Sequence, residues 1–259
     1  MNLLIIADGR SPITRRWIRM LEPLGYTINL VTPYPCTPVE GVQETVTFPV
    51  AFGHYSGSQA GGSTKNAGKR SRLISRFRNV AGDLRHWLGP WSVDRRKKEY
   101  EDLVLRLRPD LVHALRIPFE GMLASHTPPG IPVVVSTWGN DLTFHAESSG
   151  AMGDATRRAL LRAEGLLSDT RRDLQLAHSW SFNPNKPSLM VVGNGGIDLS
   201  EIEQATRGVG LAVPWQVINP RGFRSGSVRN DTFFKAIPLI LSHHPDIQFI
   251  CPWMAGQPE

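Results

Sequence analysis

Short apolar runs rich in β-branched residues alternate along this chain with segments of helical periodicity. The runs start with Leu3 to Ala7 and recur in DLVHAL (110–115), IPVVVST (131–137) and WQVIN (215–219). Strands that alternate with helices in this way form βαβ units, in which the strands are parallel and both faces of the sheet are covered. The sequence therefore predicts an α/β fold with a mainly parallel sheet and helices on both faces.

Shifts in composition suggest a domain organisation. We predict a first domain over 1–197, with a Gly/Ser-rich flexible loop at 53–68 and a basic amphipathic segment at 69–98. Residues 198–213 are predicted as a linker, and 214–259 as the first βαβ part of a second domain. One βαβ unit cannot bury both faces of its own sheet, so we expect it to dock on the first domain or to form a homodimer through its exposed edge.

Composition excludes several classes of protein. The chain is 41% hydrophobic and 20% charged, as in ordinary soluble domains, and no apolar run approaches the roughly 20 residues of a spanning helix. The two cysteines, Cys36 and Cys251, are far apart, which favours a reducing, cytoplasmic setting. The cysteines and eight histidines show no metal-ligand spacing, so we expect neither a metal nor a cofactor.

The net charge of +6 comes mostly from one stretch. Residues 69–98 contain ten Lys or Arg and two acids, and they carry an apolar stripe at helical spacing: Leu73, Phe77, Val80, Leu84, Trp87 and Trp91. Two interpretations stay open. The stripe enters an anionic membrane surface on the cytoplasmic side, or the helix packs on the sheet with solvated arginines. The segment has no motif that reads nucleic acid, so we expect no nucleic-acid partner.

The loop DGRSPITRR follows the first strand. Gly9 allows close backbone approach, and Arg10, Arg15 and Arg16 can bind an anion. A helix is predicted behind the loop from about Arg15 to Leu24, with Thr14 as its N-cap, and its N-terminus adds partial positive charge. The loop lacks the GxGxxG of dinucleotide-binding proteins. The alternative is a tight turn with solvated arginines.

Two further strand-end loops carry polar side chains. His113 lies in the strand DLVHAL, where a hydrogen-bonded core histidine is the alternative to a catalytic one, and Arg116 and Glu120 follow it as a substrate clamp or an ion pair with each other. In WGNDLTFH the side chains that suit sugar hydroxyls are Trp138, Asn140, Asp141 and His145. The alternative there is an Asx turn in which Asn140 or Asp141 binds its own backbone.

The later part of the chain offers candidate phosphate ligands. GNGG contributes Asn194, Gly195 and Gly196, in a loop of the type that cradles phosphate or forms a hinge between domains. Arg221 and Arg224 follow a strand, and the planar guanidinium can bind two diphosphate oxygens at once.

Together these motifs resemble family 4 glycosyltransferases of the GT-B fold. The resemblance rests on IIADGRSPITRRWIRMLEPLGYTINLVTPYP, RPDLVHALRIPFEGM, VVVSTWGNDL, VVGNGGIDL and VINPRGFRSGSVRNDTFFKAIPLIL, and it covers nearly all of the chain outside 51–100. It implies two Rossmann-like domains, the first binding the acceptor and the second the nucleotide sugar. It also implies hexosyl transfer with retention and without a metal. The acceptor is then a small or lipid-linked molecule.

The same resemblance implies roles for individual residues. His113 and Asp141 would be catalytic, and the diphosphate would meet Gly9, Arg10, Arg221, Arg224 and the loop Asn194 to Gly196. The acceptor would meet Ser11, Arg15, Arg116, Glu120, Trp138, Asn140 and His145. Leu115 and Trp138 stand where many relatives have histidine. The family's pair of donor-binding glutamates would lie beyond Glu259, so the second domain is expected to be incomplete.

Overall fold

The computed structural model describes residues 1–50, 85–191, 199–208, 210, 215–220 and 230–251. The chain divides into two compact units, Met1–Ile197 and Asp198–Glu259. The predicted loop at 53–68 lies outside the described residues.

The first unit contains a seven-stranded sheet. Its strands are β1 (Asn2–Ile6), β2 (Thr27–Thr32), β3 (Glu44–Thr47), β4 (Leu111–Ala114), β5 (Val133–Thr137), β6 (Gly165–Ser168) and β7 (Ser188–Met190). Their order across the sheet is β3-β2-β1-β4-β5-β6-β7, and every neighbouring pair is parallel. The prediction of a mainly parallel α/β sheet is confirmed. The strand order reverses between β1 and β4, which is where sheets of this kind open a crevice.

Helices cover both faces of this sheet. They are α1 (Pro12–Leu21), α2 (helical over 85–95), α3 (Lys97–Leu107), the single turn α4 (Met122–Ala124), α5 (Gly150–Arg162) and α6 (Arg171–Ser179). The alternation of side chains along β1 explains the two cores, because Leu4 and Ile6 pack with α3 and α5 whereas Leu3 and Ile5 pack with α1. Each face of the central strand is therefore buried.

Helix α1 begins earlier than predicted. Its first residue is Pro12, preceded by Ser11 in extended conformation, so Thr14 is inside the helix rather than at its cap. Proline at the first helical position loses no hydrogen bond, because the first amides of a helix have no partner within it. The proline therefore marks the start of α1, a short distance along the chain from the end of β1.

The described part of the basic segment is α2 and the start of α3. Trp87 and Trp91 are 71% and 57% exposed, whereas Val93 is fully buried. The interpretation in which the apolar stripe packs on the sheet is therefore wrong for these two tryptophans. None of the helices in the described ranges combines the length and the apolar character needed to cross a bilayer.

The second unit is small. It contains α7 (Leu199–Thr206), which lies in the predicted linker, followed by β8 (Gln216–Ile218), α8 (Asn230–Leu241) and β9 (Gln248–Ile250). The strands β8 and β9 are parallel. Helix α8 packs on β9 through the rings of Phe233 and Phe249, whose centroids are 6.0 Å apart.

Candidate functional site

A cleft of about 250 Å³ lies at the point where the strand order reverses. The loops that follow β1, β2, β4 and β5 and the described start of α2 form its walls. Its polar and aromatic side chains are Asp8, Arg10, Ser11, Thr14, Tyr34, Arg85, His86, Arg116, Phe119, Glu120, Trp138 and His145. Because the carboxyl ends of parallel strands meet at one edge, residues from four separate loops share this cavity.

The loop after β1 forms the first wall. Arg10 pairs with Asp8 through two contacts, Nε to Oδ1 at 3.0 Å and Nη2 to Oδ2 at 2.9 Å. The same guanidinium lies 3.8 Å above the ring of Tyr34. Ser11 lies at the N-terminus of α1, where the helix dipole favours negative charge. This wall therefore presents the Arg10–Asp8 ion pair and a helix N-terminus to the cavity.

Gly9 and Arg15 do not line the cleft. A Cβ at Gly9 would lie 2.6 Å from Sγ of Cys36, so the absence of a side chain serves the packing of Cys36. Arg15 donates to the carbonyl oxygens of Gly9, Thr37 and Pro38 and thereby joins the loops after β1 and β2. Packing explains Gly9, and contacts between loops explain Arg15. Neither residue lies at the cleft, where the diphosphate and acceptor roles were predicted for them.

The loop after β4 holds Glu120 in a turn of unusual geometry. Phe119 has φ of 67° and ψ of −48°, a conformation close to the γ-turn of positive φ, which is rare and strained. The Gly121 amide donates to the Arg116 carbonyl at 2.9 Å and closes the turn. The guanidinium of Arg85 lies 4.7 Å above the Phe119 ring. Strained backbone of this kind persists where its surroundings hold it, and it is concentrated at functional sites.

Asp141 joins the loops after β4 and β5. Its side chain is 1% exposed and accepts from Arg116 Nη2 at 2.7 Å, from the Ile117 amide at 3.1 Å and from the Trp138 amide at 3.3 Å. Burial raises the pKa of Asp141, and the Arg116 charge and these donors oppose that rise. The ion pair between Arg116 and Glu120, which was the alternative to a substrate clamp, does not form, because Arg116 pairs with Asp141. Asp141 is therefore a buried anchor, and it does not line the cleft.

Glu120 lines the cavity with only 6% of its surface exposed. Burial raises the pKa of its carboxyl to about 7, although the positive charges of Arg116 and Arg85 act in the opposite direction. A carboxyl group with a pKa near neutrality can both accept and donate a proton under ordinary conditions. This makes Glu120 the acid in the cleft best suited to proton transfer.

The loop after β5 supplies Trp138 and His145. The ring of Trp138 lies 6.0 Å from the Arg116 guanidinium. Burial, together with the charges of Arg116 and Arg85, lowers the pKa of His145 to about 4, so its imidazole is neutral at physiological pH. Asn140 does not line the cleft; its carbonyl accepts from the amides of Phe144 and His145.

His113 is buried beside the cleft and is not part of its wall. Its Nε2 lies 2.9 Å from Ser136 Oγ, and its ring makes an edge contact with Trp17 at 5.5 Å between centroids. Burial lowers the pKa of His113 to about 4. These contacts fit the alternative in which His113 is a hydrogen-bonded core residue.

Five residues predicted to bind the diphosphate remain. Asn194, Gly195, Gly196, Arg221 and Arg224 all lie outside the described residues. Within the described residues, no group of three or more His, Cys, Asp or Glu is arranged to hold a metal ion.

Tyr34, Arg85 and His86 are among the cleft residues that sequence reasoning missed. Tyr34 follows β2 and accepts from Arg85 Nη2 at 2.7 Å through its hydroxyl. Arg85 and His86 belong to the basic segment, which gave no sign that it reaches a strand-end cavity. The position of Tyr34 directly after a strand was the one available signal.

Comparison with known proteins supports the fold. No protein-family model and no curated protein matches the sequence. The Neisseria meningitidis UDP-GlcNAc 2-epimerase bound to UDP-GlcNAc aligns with 99% of this chain and 67% of its own, at 11% identity and a TM-score of 0.54. The S. aureus MnaA–UDP structure aligns with 100% and 63%, at 12% identity and 0.53. Arabidopsis thaliana UGT89C1 with UDP-L-rhamnose aligns with 97% and 69%, at 12% identity and 0.52.

This chain therefore spans about two thirds of the length of these solved structures. At such low identities the likeness establishes the fold and nothing finer. Assignment to family 4 within that fold stays a prediction. The fold is a Rossmann-like α/β architecture of the GT-B type, which this chain shares with proteins whose structures hold UDP-GlcNAc, UDP or UDP-L-rhamnose.

Proposed function

We propose that this protein is a glycosyltransferase that moves a hexosyl group from a nucleotide sugar to an acceptor hydroxyl. The observation that carries the proposal is the single cleft at the strand-order reversal, which gathers Arg10, Arg116, Glu120, Trp138 and His145 from three loops. Cations, aromatic faces and a carboxyl group with a pKa near neutrality are the groups that such a transfer needs.

The chemistry divides between the two partners of the reaction. Transfer breaks the bond between the anomeric carbon and the diphosphate, on which negative charge develops. Arg10 supplies a guanidinium that also pairs with Asp8, and the predicted donor ligands Arg221 and Arg224 would supply further positive charge. Trp138 offers an apolar face for a sugar ring or for another acceptor. Retention and independence from metal come from the family resemblance and are part of this proposal.

Calorimetry with the full chain tests nucleotide-sugar binding. The titrants are UDP-, dTDP- and GDP-hexoses, and the matched variants are Arg10→Gln in the cleft and Arg16→Gln on the exposed side of α1. We expect one nucleotide sugar to bind, Arg10→Gln to weaken its binding roughly tenfold or more, and Arg16→Gln to bind as the wild type does. If none of these nucleotide sugars binds, the proposal is wrong.

Product analysis then defines the reaction. Proton NMR of the product with p-nitrophenyl hexosides as acceptors reports retention or inversion from the anomeric coupling, and EDTA tests the need for a metal. Two of the compared structures carry the names UDP-GlcNAc 2-epimerase and MnaA. Conversion of UDP-GlcNAc to its C2 epimer, without transfer to any acceptor, would therefore assign this chain to a different reaction.

A second candidate function is attachment to an anionic membrane surface, with or without catalysis. Trp87 and Trp91 lie exposed on one side of α2, and Arg95 lies 5.4 Å above the Trp91 ring. Tryptophans flanked by basic residues suit the boundary between lipid headgroups and acyl chains. Flotation with vesicles of phosphatidylcholine and phosphatidylserine tests this. We expect the wild type to float and the double variant Trp87→Ala, Trp91→Ala to stay at the bottom, whereas equal behaviour of the two contradicts it.

A further inference from the structure

Glu120 differs from the other acids near the cleft. Asp8 also lines the cavity but is held by two contacts to Arg10, and Asp141 is held behind the wall by Arg116. Among the described residues, Glu120 has no ion-pair partner. Glu120 therefore lines the cleft while almost fully buried, and the charges of Arg116 and Arg85 act on its carboxyl without a direct ion pair.

The turn that carries Glu120 is held from several sides. Asp141 accepts from the Ile117 amide at 3.1 Å at one end, and the Gly121 amide closes the other end on Arg116. A Cβ at Gly121 would lie 3.1 Å from the Arg116 carbonyl oxygen, so the turn is also tightly packed. A side chain on a rigid support keeps a fixed direction, as acid–base catalysis requires.

We propose that Glu120 is the general base that takes the proton from the acceptor hydroxyl. This inference rests on the proposed function and assigns a catalytic residue to its site. The bond from the acceptor oxygen to the anomeric carbon forms while the bond from that carbon to the diphosphate oxygen breaks, and the electron pair leaves with the nucleoside diphosphate. The hydroxyl proton moves to the Glu120 carboxylate, which returns it to solvent. One proton is released in this way whether the transfer retains or inverts configuration.

The ionisation of Glu120 supports this role. Its pKa of about 7 leaves a large fraction of carboxylate at neutral pH, and that carboxylate is a stronger base than an exposed one. The pKa of about 4 for His145 leaves that imidazole uncharged throughout the same range. Charged or titratable groups that share the cavity with Glu120 or act on its pKa come from five elements and are Asp8, Arg10, Tyr34, Arg85, His86, Arg116, Asp141 and His145.

The test is the pH profile of sugar transfer by the full chain. The donors are UDP-, dTDP- and GDP-hexoses, with p-nitrophenyl hexosides or water as acceptors, and release of the nucleoside diphosphate is measured from pH 5 to 9. Because the base acts when deprotonated, we expect kcat/KM of the wild type to fall below a pKa of about 7. Glu120→Gln should lower kcat by roughly 10² to 10⁴-fold and abolish this acid limb. Glu120→Asp should keep the limb at a reduced rate.

The controls separate this inference from the proposed function. Glu147→Gln alters an exposed glutamate outside the cleft and should leave rate and pH profile unchanged. Binding of the nucleotide sugar, measured by calorimetry, should be the same in Glu120→Gln as in the wild type. The role of Glu120 is wrong if the wild type transfers sugar and Glu120→Gln keeps either the wild-type rate or the wild-type acid limb. The proposed function stands in that case. A wild type that transfers to no acceptor overturns both.

Discussion

Replacing Glu120 by glutamine should stabilise the folded protein at alkaline pH, even if it abolishes activity. Glutamine has nearly the same shape but no charge, so the substitution removes the cost of ionising a carboxyl group in a site that is 6% exposed. The ionised Glu120 carboxyl therefore lowers the stability of the folded protein.

The size of the effect follows from the pKa. Burial raises the pKa of Glu120 from 4.5 to about 7, so the unfolded chain loses its proton at lower pH than the folded chain. The contribution of Glu120 to the stability of the wild type therefore decreases as pH rises from about 4.5, and it stops decreasing above about 7. At about 1.4 kcal/mol per pKa unit the whole effect is about 3 kcal/mol, most of which falls between pH 5 and 8.

Urea denaturation at pH 5, 6, 7 and 8 measures this effect. The informative quantity is the free energy of unfolding of Glu120→Gln minus that of the wild type, because other titrating groups contribute equally to both. We expect the difference to grow by about 2 to 3 kcal/mol in favour of the variant across this range. Glu147→Gln, at an exposed position outside the cleft, is the matched control. A flat difference for Glu120→Gln would show that the carboxyl ionises as easily in the folded chain as in the unfolded one.

Three further predictions concern residues around the cleft. Gly9→Ala places a methyl group 2.6 Å from Cys36 Sγ, so urea denaturation should show a loss of about 1 to 3 kcal/mol that Cys36→Ala partly restores; an unchanged stability contradicts this packing. Asp141→Asn leaves the Arg116 charge without its partner, so the free energy of unfolding, again from urea denaturation, should fall by about 2 to 4 kcal/mol. A loss below about 0.5 kcal/mol would show that the pair is not a major anchor. His113, with a pKa of about 4, should give imidazole NMR signals that stay constant from pH 8 to 5, and a midpoint near 6.5 would refute its burial.

The sheet and the location of the site could be predicted from the sequence for a physical reason. A buried parallel strand reads as a short apolar run, and the loop after it must reach the same edge as the loops after its neighbours. That rule alone placed Arg116, Glu120, Trp138 and His145 in reach of one another, although they are far apart in sequence. The observed cleft contains all four.

The exact partners of these side chains could not be predicted. Arg116 lies four residues from Glu120, but its ion pair is with Asp141, because a turn with φ of 67° at Phe119 carries Glu120 away into the cavity. Nothing in the letters IPFEG indicates that conformation, since the usual signal for positive φ is glycine. Gly9 shows the opposite error, because its small size serves the packing of Cys36 rather than the approach of a ligand.

The contacts of Asp141 have a consequence for engineering this protein. One carboxylate binds the backbone of the loop after β5 at Trp138 and that of the loop after β4 at Ile117. A chimaera that takes only one of these loops from another protein would break the hydrogen bonds that hold the two loops together, and the loop that was kept would shift. Exchanging these loops therefore requires both to be transplanted together, with Arg116 and Asp141 included.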